Sequence, residues 1–149
     1  MSDNKKPLPT SKLWEQLIKA TSVKQFIGQN ESEIGLPAFC EYISALCKER
    51  GEVPEHVIKK ANIERSFGHA IFRGDRNPSR DTVLQLAFGF GADVELAQAL
   101  LRHAGHSLLY PRVPRDTAII YCLIHGTSII ETQHILMELN LPLIGGTIK

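Results

Sequence analysis

The sequence lacks any long uninterrupted run of apolar residues. Its most apolar stretch, AIIYCLIHGTSII at residues 118–130, is broken by His125 and Gly126, whereas a membrane-spanning helix needs about 20 apolar residues in a row. The first residues, MSDNKKPLPTSK, are polar and have no apolar centre of the kind that a secretory signal requires. These absences predict a cytoplasmic protein without a membrane partner.

Cysteine is scarce, and its spacing matches no metal or redox motif. The three cysteines, Cys40, Cys47 and Cys122, are an odd number and are best interpreted as reduced thiols. Cys122 lies one helical turn before His125, but no third residue or oxyanion-hole motif accompanies the pair. We therefore expect no metal, no cofactor and no enzymatic activity.

The chain also lacks a strong excess of charge of either sign. It has 17 Lys and Arg against 16 Asp and Glu, which gives a formal charge of +1. The distribution is uneven, because residues 52–80 hold six cations and four anions, whereas residues 81–110 hold one cation and three anions. Any attraction to nucleic acid must therefore come from the first of these segments.

What the sequence does contain is helical periodicity. No segment alternates as a strand, and 149 residues with 43% hydrophobic content suffice for a core. We predict an all-α protein of about seven helices, with no internal repeat of solenoid length.

Turn chemistry marks the helix boundaries in the middle of the chain. Pro54 suits the first turn of a helix, and Asn62 accepts the left-handed conformation of a tight turn. The pattern then predicts a helix over Arg65–Arg73 that stops at Gly74, and a further helix that starts at Ser79.

From Pro54 to Phe90 the chain resembles the lambda-repressor-like, or Xre-type, helix-turn-helix family. The specific part is VIKKANIERSFGHAIFRGDRNPSRDTVLQLAFGFG. It shows a helix, a turn at Asn62, a second helix, Gly74, and then Asn-Pro-Ser before another helix. The resemblance implies a five-helix core with additional N- and C-terminal helices, and binding to double-stranded DNA.

With this resemblance the domain organisation is predicted in four parts. Residues 1–12 form a disordered tail, and residues 13–36 form an N-terminal helical segment. Residues 37–105 form the helix-turn-helix domain. Residues 106–149 form a C-terminal helical pair that is packed on the domain or lies in a dimer interface.

The resemblance also implies the residues that contact DNA, with Arg65–Arg73 as the recognition helix. The residues that match base-contacting positions are Glu64, Arg65, Ser66, His69 and Ala70. The residues expected at phosphates are Arg73, Arg76, Ser79 and Arg80. Their chemistry fits, because arginine donates two hydrogen bonds to guanine and a carboxylate accepts one from cytosine.

Three positions depart from the family pattern. Pro54 replaces a glutamine that reaches a phosphate in the family. Ile58 stands where the family has a small residue, and Gly68 where it has a branched one. Because interiors are closely packed, the exchange of sizes predicts that Ile58 fills the space above Gly68.

Two functions remain open from the sequence. The first is a sequence-specific DNA-binding protein of bacterial or phage origin, a transcriptional regulator that forms a homodimer through its C-terminal region. The alternative is a protein–protein interaction module, such as an inhibitor or antitoxin-like protein of a phage or mobile element, that uses the helix-turn-helix fold on a protein partner. Near-neutral charge, Pro54, Glu64 and Phe67 favour this alternative.

Overall fold

The computed structural model describes residues 8–31, 34 and 38–145, and all regular structure in these ranges is helical. The prediction of an all-α protein is therefore confirmed. The chain divides into two compact units, residues 1–36 and residues 37–149.

The first unit contains two helices, α1 (Thr10–Lys19) and α2 (Val23–Gln29). Ser22 caps α2 by accepting the backbone N–H of Gln25 at 3.2 Å. The tail predicted over residues 1–12 is wrong for its last three residues, which are helical. The carbonyl of Pro9 accepts the backbone N–H of Lys12 at 2.9 Å, so the helix starts before the apolar periodicity does. Residues 1–7 lie outside the described ranges.

The second unit contains seven helices in the part of the chain that is described. They are α3 (Phe39–Arg50), α4 (Pro54–Lys60), α5 (Arg65–Arg73), α6 (Arg80–Gly89), α7 (Val94–His103), α8 (Pro114–Ile124) and α9 (Ile129–Glu138). Together with α1 and α2 they make nine helices in the described residues, more than the roughly seven predicted from the sequence. Helices of only two turns, such as α2 and α4, give little periodic signal. The bounds predicted for α5 are those observed, and Gly74 ends it with φ of 85°.

A four-residue turn at 61–64 joins α4 to α5. Asn62 has φ of 57°, as its side-chain chemistry predicted. The turn is closed by a hydrogen bond of 3.2 Å from the backbone N–H of Ile63 to the carbonyl of Ile58. In this arrangement α4 packs against α5 and α6, while α3 packs against α5 and α7.

Two glycines allow neighbouring helices to approach α4 closely. A Cβ atom built on Gly68 of α5 would lie 2.5 to 2.9 Å from three side-chain carbons of Ile58. A Cβ built on Gly89 of α6 would lie 2.5 Å from the carbonyl oxygen of Val57. The predicted pairing of Ile58 with Gly68 is confirmed, and it sets how closely α4 and α5 approach.

Two ion pairs join the start of α6 to the start of α8, and we call these four residues the arginine–aspartate clamp. Arg80 donates to both carboxylate oxygens of Asp116, at 2.9 and 3.3 Å. Arg115 donates to both oxygens of Asp81, each at 2.9 Å. Each arginine also donates to two backbone carbonyls, those of Ser107 and Leu108 for Arg80, and of Pro142 and Leu143 for Arg115.

The clamp belongs to an internal repeat with an offset of 35 residues. Residues 80–110 and 115–145 each begin with Arg-Asp-Thr and form a helical hairpin with a left-handed glycine between its helices, Gly91 in one and Gly126 in the other. In the first hairpin the amide of Gln98 binds both the N–H and the carbonyl of Leu109. In the second, Gln133 binds Ile144 in the same way.

The prediction of no internal repeat is therefore wrong for this part of the chain. Only seven of the 31 aligned positions are identical. Beyond these identities, the two hairpins resemble each other mainly in which positions are buried and in which backbone groups Gln98 and Gln133 bind. A comparison of residue types along the sequence does not detect these similarities.

A two-fold relation connects the hairpins. The arginine of each binds the aspartate of the other, and that aspartate also accepts a backbone N–H from the opposite loop. Tyr110 donates to Asp116 at 3.0 Å, and Gly145 donates to Asp81 at 2.9 Å. In the same way α6 packs on α9 and α7 packs on α8. Such reciprocal contacts define an isologous interface, here within one chain.

We expect Gly68→Ile to lower the free energy of unfolding by about 1–3 kcal/mol, because the added carbons overlap Ile58. Ile58→Ala alone leaves a cavity and costs about 2–5 kcal/mol. In the double variant the larger side chain at position 68 fills space left at position 58. Its loss of unfolding free energy should therefore be smaller than the sum of the losses in the two single variants. Urea denaturation of the four proteins measures this, with Gly28→Ile as the control because the Cβ position at Gly28 is open. Strictly additive losses would contradict the pairing.

We also expect the clamp to make stability depend on pH in the acid range. Burial opposes ionisation of Asp81, but the hydrogen bonds from Arg115 and Gly145 and the arginine charges outweigh it, so its pKa is lowered. A lowered folded-state pKa stabilises the protein fully above the unfolded pKa of about 4, and this contribution is lost as the pH falls through the folded value.

Asp81→Asn should therefore destabilise the protein at neutral pH, by an amount that shrinks as the pH falls below about 4. Chemical denaturation across this range measures the difference from wild type. Asp75→Asn, in an exposed pair with Arg73, is the control and should have little effect at any pH. If the stability difference between Asp81→Asn and wild type did not change with pH, the proposed contribution of the Asp81 ion pair to the pH dependence would be contradicted.

Candidate functional site

The exposed side of α5 forms a shallow groove of about 380 Å³. It is lined by Arg65, Ser66, His69 and Arg73, which lie at positions one, two, five and nine of the helix. The structure therefore brings together four of the residues that the resemblance implies at DNA. Ala70, also predicted at a base, is half-buried on the same helix.

Glu55, in the first turn of α4, holds two of the groove residues. One carboxylate oxygen accepts from Nε of Arg65 at 2.7 Å, and the other lies 2.6 Å from Nε2 of His69. The hydrogen bond from Arg65, followed by that from His69, lowers the pKa of Glu55, and the same bond to Glu55 raises the pKa of Arg65. Both side chains are thus oriented before any ligand binds.

Sequence reasoning missed Glu55. Its carboxylate precedes Arg65 by ten residues and His69 by 14, and no helical spacing connects residues on different helices. The contact exists only because the turn at 61–64 folds α4 back onto α5. An acidic residue in the first turn of a helix is otherwise explained by the helix dipole.

The base contact expected of Glu64 stays a prediction, and in the free protein this residue has a local role. Glu64 precedes the first residue of α5 and is its N-cap. Its two carboxylate oxygens accept the backbone N–H groups of Ser66 at 3.0 Å and Phe67 at 2.8 Å. These bonds, first that from Phe67 and then that from Ser66, lower the pKa of Glu64. The carboxylate therefore caps the start of the helix in the free protein.

Arg80 and Ser79, both predicted at phosphates, have contacts within the fold. The guanidinium group of Arg80 is held by Asp116 and by two carbonyls, and its side chain is only 23% exposed. The hydroxyl of Ser79 accepts the backbone N–H of Thr82 at 3.2 Å, which makes it the N-cap of α6. Both residues serve the fold because they lie where α6 begins and α8 joins it.

Two arginines remain available at the C-terminal end of α5. Arg73 forms an exposed ion pair of 3.0 Å with Asp75. Arg76 is exposed and forms no hydrogen bond or ion pair with any residue that the structure describes. Of the three arginines predicted at phosphates, these two have exposed side chains.

The surface around the groove is close to neutral. Its three arginines, Arg65, Arg73 and Arg76, are matched by Glu55, Glu64 and Asp75. Two of these arginines form exposed ion pairs, Arg65 with Glu55 and Arg73 with Asp75. Exposed pairs contribute only about 0–1 kcal/mol, so an incoming anion competes with them readily. Phe67, 38% exposed, adds an apolar side chain to the same helix.

The other residues that the sequence suggested for chemistry are separate or buried. Cys122 is completely buried, while His125 is exposed and its ring contacts that of Tyr121 at a tilt of 41°, with ring centroids 4.2 Å apart. Within residues 8–31, 34 and 38–145, no group of three or more metal-binding side chains comes together, and no helix has the length and apolarity to cross a membrane.

Comparison with known proteins assigns neither a family nor a function to this chain. No protein-family model, no curated protein and no solved structure matches this chain. A functional proposal therefore has to rest on the geometry of the groove and on the resemblance of residues 54–90.

Proposed function

We propose that the protein is a sequence-specific DNA-binding protein, a transcriptional regulator of the lambda-repressor-like type. The observation that carries this proposal is the groove on α5, where Arg65, Ser66 and His69 lie together just after a four-residue turn from α4. In helix-turn-helix proteins the second helix enters the major groove, and residues near its N-terminus contact base edges. Arg65 is the first residue of α5.

Binding exchanges internal ion pairs for contacts with DNA. Arg65 leaves Glu55 and donates two hydrogen bonds to a guanine, while Ser66 and His69 take donor or acceptor roles at neighbouring bases. Arg73 leaves Asp75 and, with Arg76, contacts phosphates, which position the protein without reading sequence. Because the exchanged pairs are exposed, the cost of breaking them is small.

A homodimer formed through the C-terminal region would present two copies of α5 to a two-fold site. Half-sites for such proteins lie one helical turn of DNA, or a multiple of it, apart. Each copy would add its own phosphate contacts, and occupancy of the site would block or recruit transcription.

The alternative is a protein–protein interaction module, such as an inhibitor or antitoxin-like protein. The observation that favours it is the balance of charge on the α5 surface, where three carboxylates match three arginines. The exposed ring of Phe67 and the absence of a phosphate-reaching side chain at Pro54 point the same way. A protein partner would then cover the groove that DNA covers in the first proposal.

Binding to a mixed-sequence DNA duplex at salt concentrations from about 50 to 200 mM separates the two functions. We expect affinity to fall steeply as salt rises, because each phosphate contact releases counterions. Arg76→Ala should weaken binding to all sequences and reduce the salt slope by about one. Arg65→Ala should mainly relax preference for a duplex selected from random sequence, by about tenfold.

Arg112→Ala is the matched control, because Arg112 is exposed but lies between α7 and α8, away from the groove. Fluorescence anisotropy with labelled duplexes measures all four proteins. Absence of binding at the lowest salt would favour the protein–protein alternative. Equal, sequence-independent losses in Arg65→Ala and Arg76→Ala would remove Arg65 from base readout.

Glu55→Gln should strengthen binding to any duplex. The change releases Arg65 from its ion pair and removes a negative charge that repels phosphate. Anisotropy titrations at low salt measure the gain. Glu95→Gln, an equivalent change at an exposed position in the first turn of α7, is the control and should leave affinity much closer to wild type. Weaker binding by Glu55→Gln would mean that the pre-oriented Arg65 matters more than the removed charge.

A further inference from the structure

The contact between Glu55 and His69 fixes which nitrogen of the imidazole carries a proton. Nε2 of His69 lies 2.6 Å from one carboxylate oxygen of Glu55. The hydrogen bonds from Arg65 and His69 lower the pKa of Glu55, so the carboxylate is ionised at neutral pH. An ionised carboxylate only accepts hydrogen bonds, and Nε2 must therefore be the donor. In a neutral imidazole the other nitrogen, Nδ1, is then an acceptor.

Nδ1 of His69 is left for a ligand. It forms no hydrogen bond with any residue that the structure describes. The side chain is 30% exposed and lines the groove, one helical turn after Arg65 and one turn before Arg73. A neutral His69 thus offers a ligand one acceptor, whereas a protonated His69 offers it one donor.

The groups that DNA presents to such a side chain are mostly acceptors. Phosphate oxygens accept hydrogen bonds, and the major-groove edge of guanine carries two acceptors, N7 and O6. The donors in the major groove are the exocyclic amines of adenine and cytosine. With its proton on Nε2, a neutral His69 can pair only with those amines. To pair with a guanine or a phosphate it needs a second proton, on Nδ1, which makes it a cation.

The charged groups around His69 come from α4 and from α5 with its two ends. They are Glu55 of α4, Arg65 and Arg73 of α5, Glu64 before it and Asp75 after it. α3 also packs against α5, but none of its residues lines the groove. Only Glu55 is in contact with the imidazole among the described residues, and it is shared, because its other oxygen accepts from Arg65 at 2.7 Å.

Binding to DNA shifts this balance toward the protonated imidazole. In the proposed function Arg65 leaves Glu55 for a guanine, so the carboxylate keeps His69 as its partner and the cation beside the imidazole withdraws. The phosphates bring further negative charge. Both changes favour a proton on Nδ1, and so does an acceptor on the DNA. Binding and protonation therefore strengthen each other.

We propose that His69 is a specificity-determining residue that binds an acceptor of DNA, a guanine edge or a phosphate oxygen, only as a cation, so that binding takes up one proton from solvent. The inference rests on the proposed function and adds a linked proton to it. Glu55 is the positioning residue, because it sets the tautomer and supplies the opposite charge. Affinity for DNA then rises as the pH falls through the range in which histidines titrate, from about 8 to about 5.

Anisotropy titrations at one low salt concentration, between about pH 5.5 and pH 8, test the linkage. One linked proton changes affinity by up to about tenfold per pH unit, so wild type should bind at least about tenfold more tightly at the acid end. His69→Gln should show little dependence on pH, since a glutamine amide donates without taking up a proton. Calorimetry at neutral pH in buffers of different ionisation enthalpy counts the proton directly.

His134→Gln is the matched control, because His134 is exposed but lies on α9. This variant should follow the pH profile of wild type, and thermal unfolding shows that both variants fold. The choice of duplex separates the two acceptors. Proton uptake on a mixed-sequence duplex as well as on a duplex selected from random sequence assigns the acceptor to a phosphate, whereas uptake on the selected duplex alone assigns it to a guanine.

Three results would overturn the inference. They are binding by wild type that does not change with pH, an unchanged pH profile in His69→Gln, and a neutral His69 that carries its proton on Nδ1 in the free protein. Nitrogen NMR of the imidazole detects the last of these without DNA. In all three cases salt-dependent binding still supports the proposed function. Absence of DNA binding at the lowest salt and at every pH refutes the proposed function and the linked proton together.

Discussion

The arginine–aspartate clamp is the interaction on which the arrangement of the second unit depends. It joins the first turns of α6 and α8 through two crossed ion pairs, and it also ties down both loops that follow the hairpins. The side chain of Asp116 is 5% exposed. Removing one partner of a buried ion pair destabilises a protein strongly, although the intact pair stabilises it little more than apolar residues in the same place would. The clamp therefore acts mainly by fixing the orientation of α6 and α8, since bidentate pairing admits few geometries.

The clamp also decides which arginines are left for a ligand. Arg80 lies in the same short polar segment as Arg73 and Arg76, and all three have the same chemistry. Only Arg80 meets a buried carboxylate and two carbonyls, so it serves the fold while the others stay at the surface. Glu55 has a comparable effect within the groove, where it fixes Arg65 and His69 without burying them.

The repeated hairpin gives this chain a two-fold interface inside a single polypeptide. The two hairpins use their equivalent faces differently. The first holds α4 through Gln85 and Gly89, which positions the α4–α5 pair. The second keeps the equivalent face apolar and open, at Tyr121 and Ile124. The repeat is hard to detect in the sequence because the hydrogen bonds to backbone that the two hairpins share, such as those of Gln98 and Gln133, constrain few side-chain identities.

The sequence by itself determined where most helices begin and end, because caps and turns depend on a few neighbouring residues. Pro54, Asn62, Gly74 and Ser79 each act within their own segment, and all four stand where they were predicted. Tertiary structure alone decided the roles of Glu55 and Arg80. Each is compatible with solvent, ligand or partner, and the choice depends on which groups of other helices the fold brings within hydrogen-bonding distance.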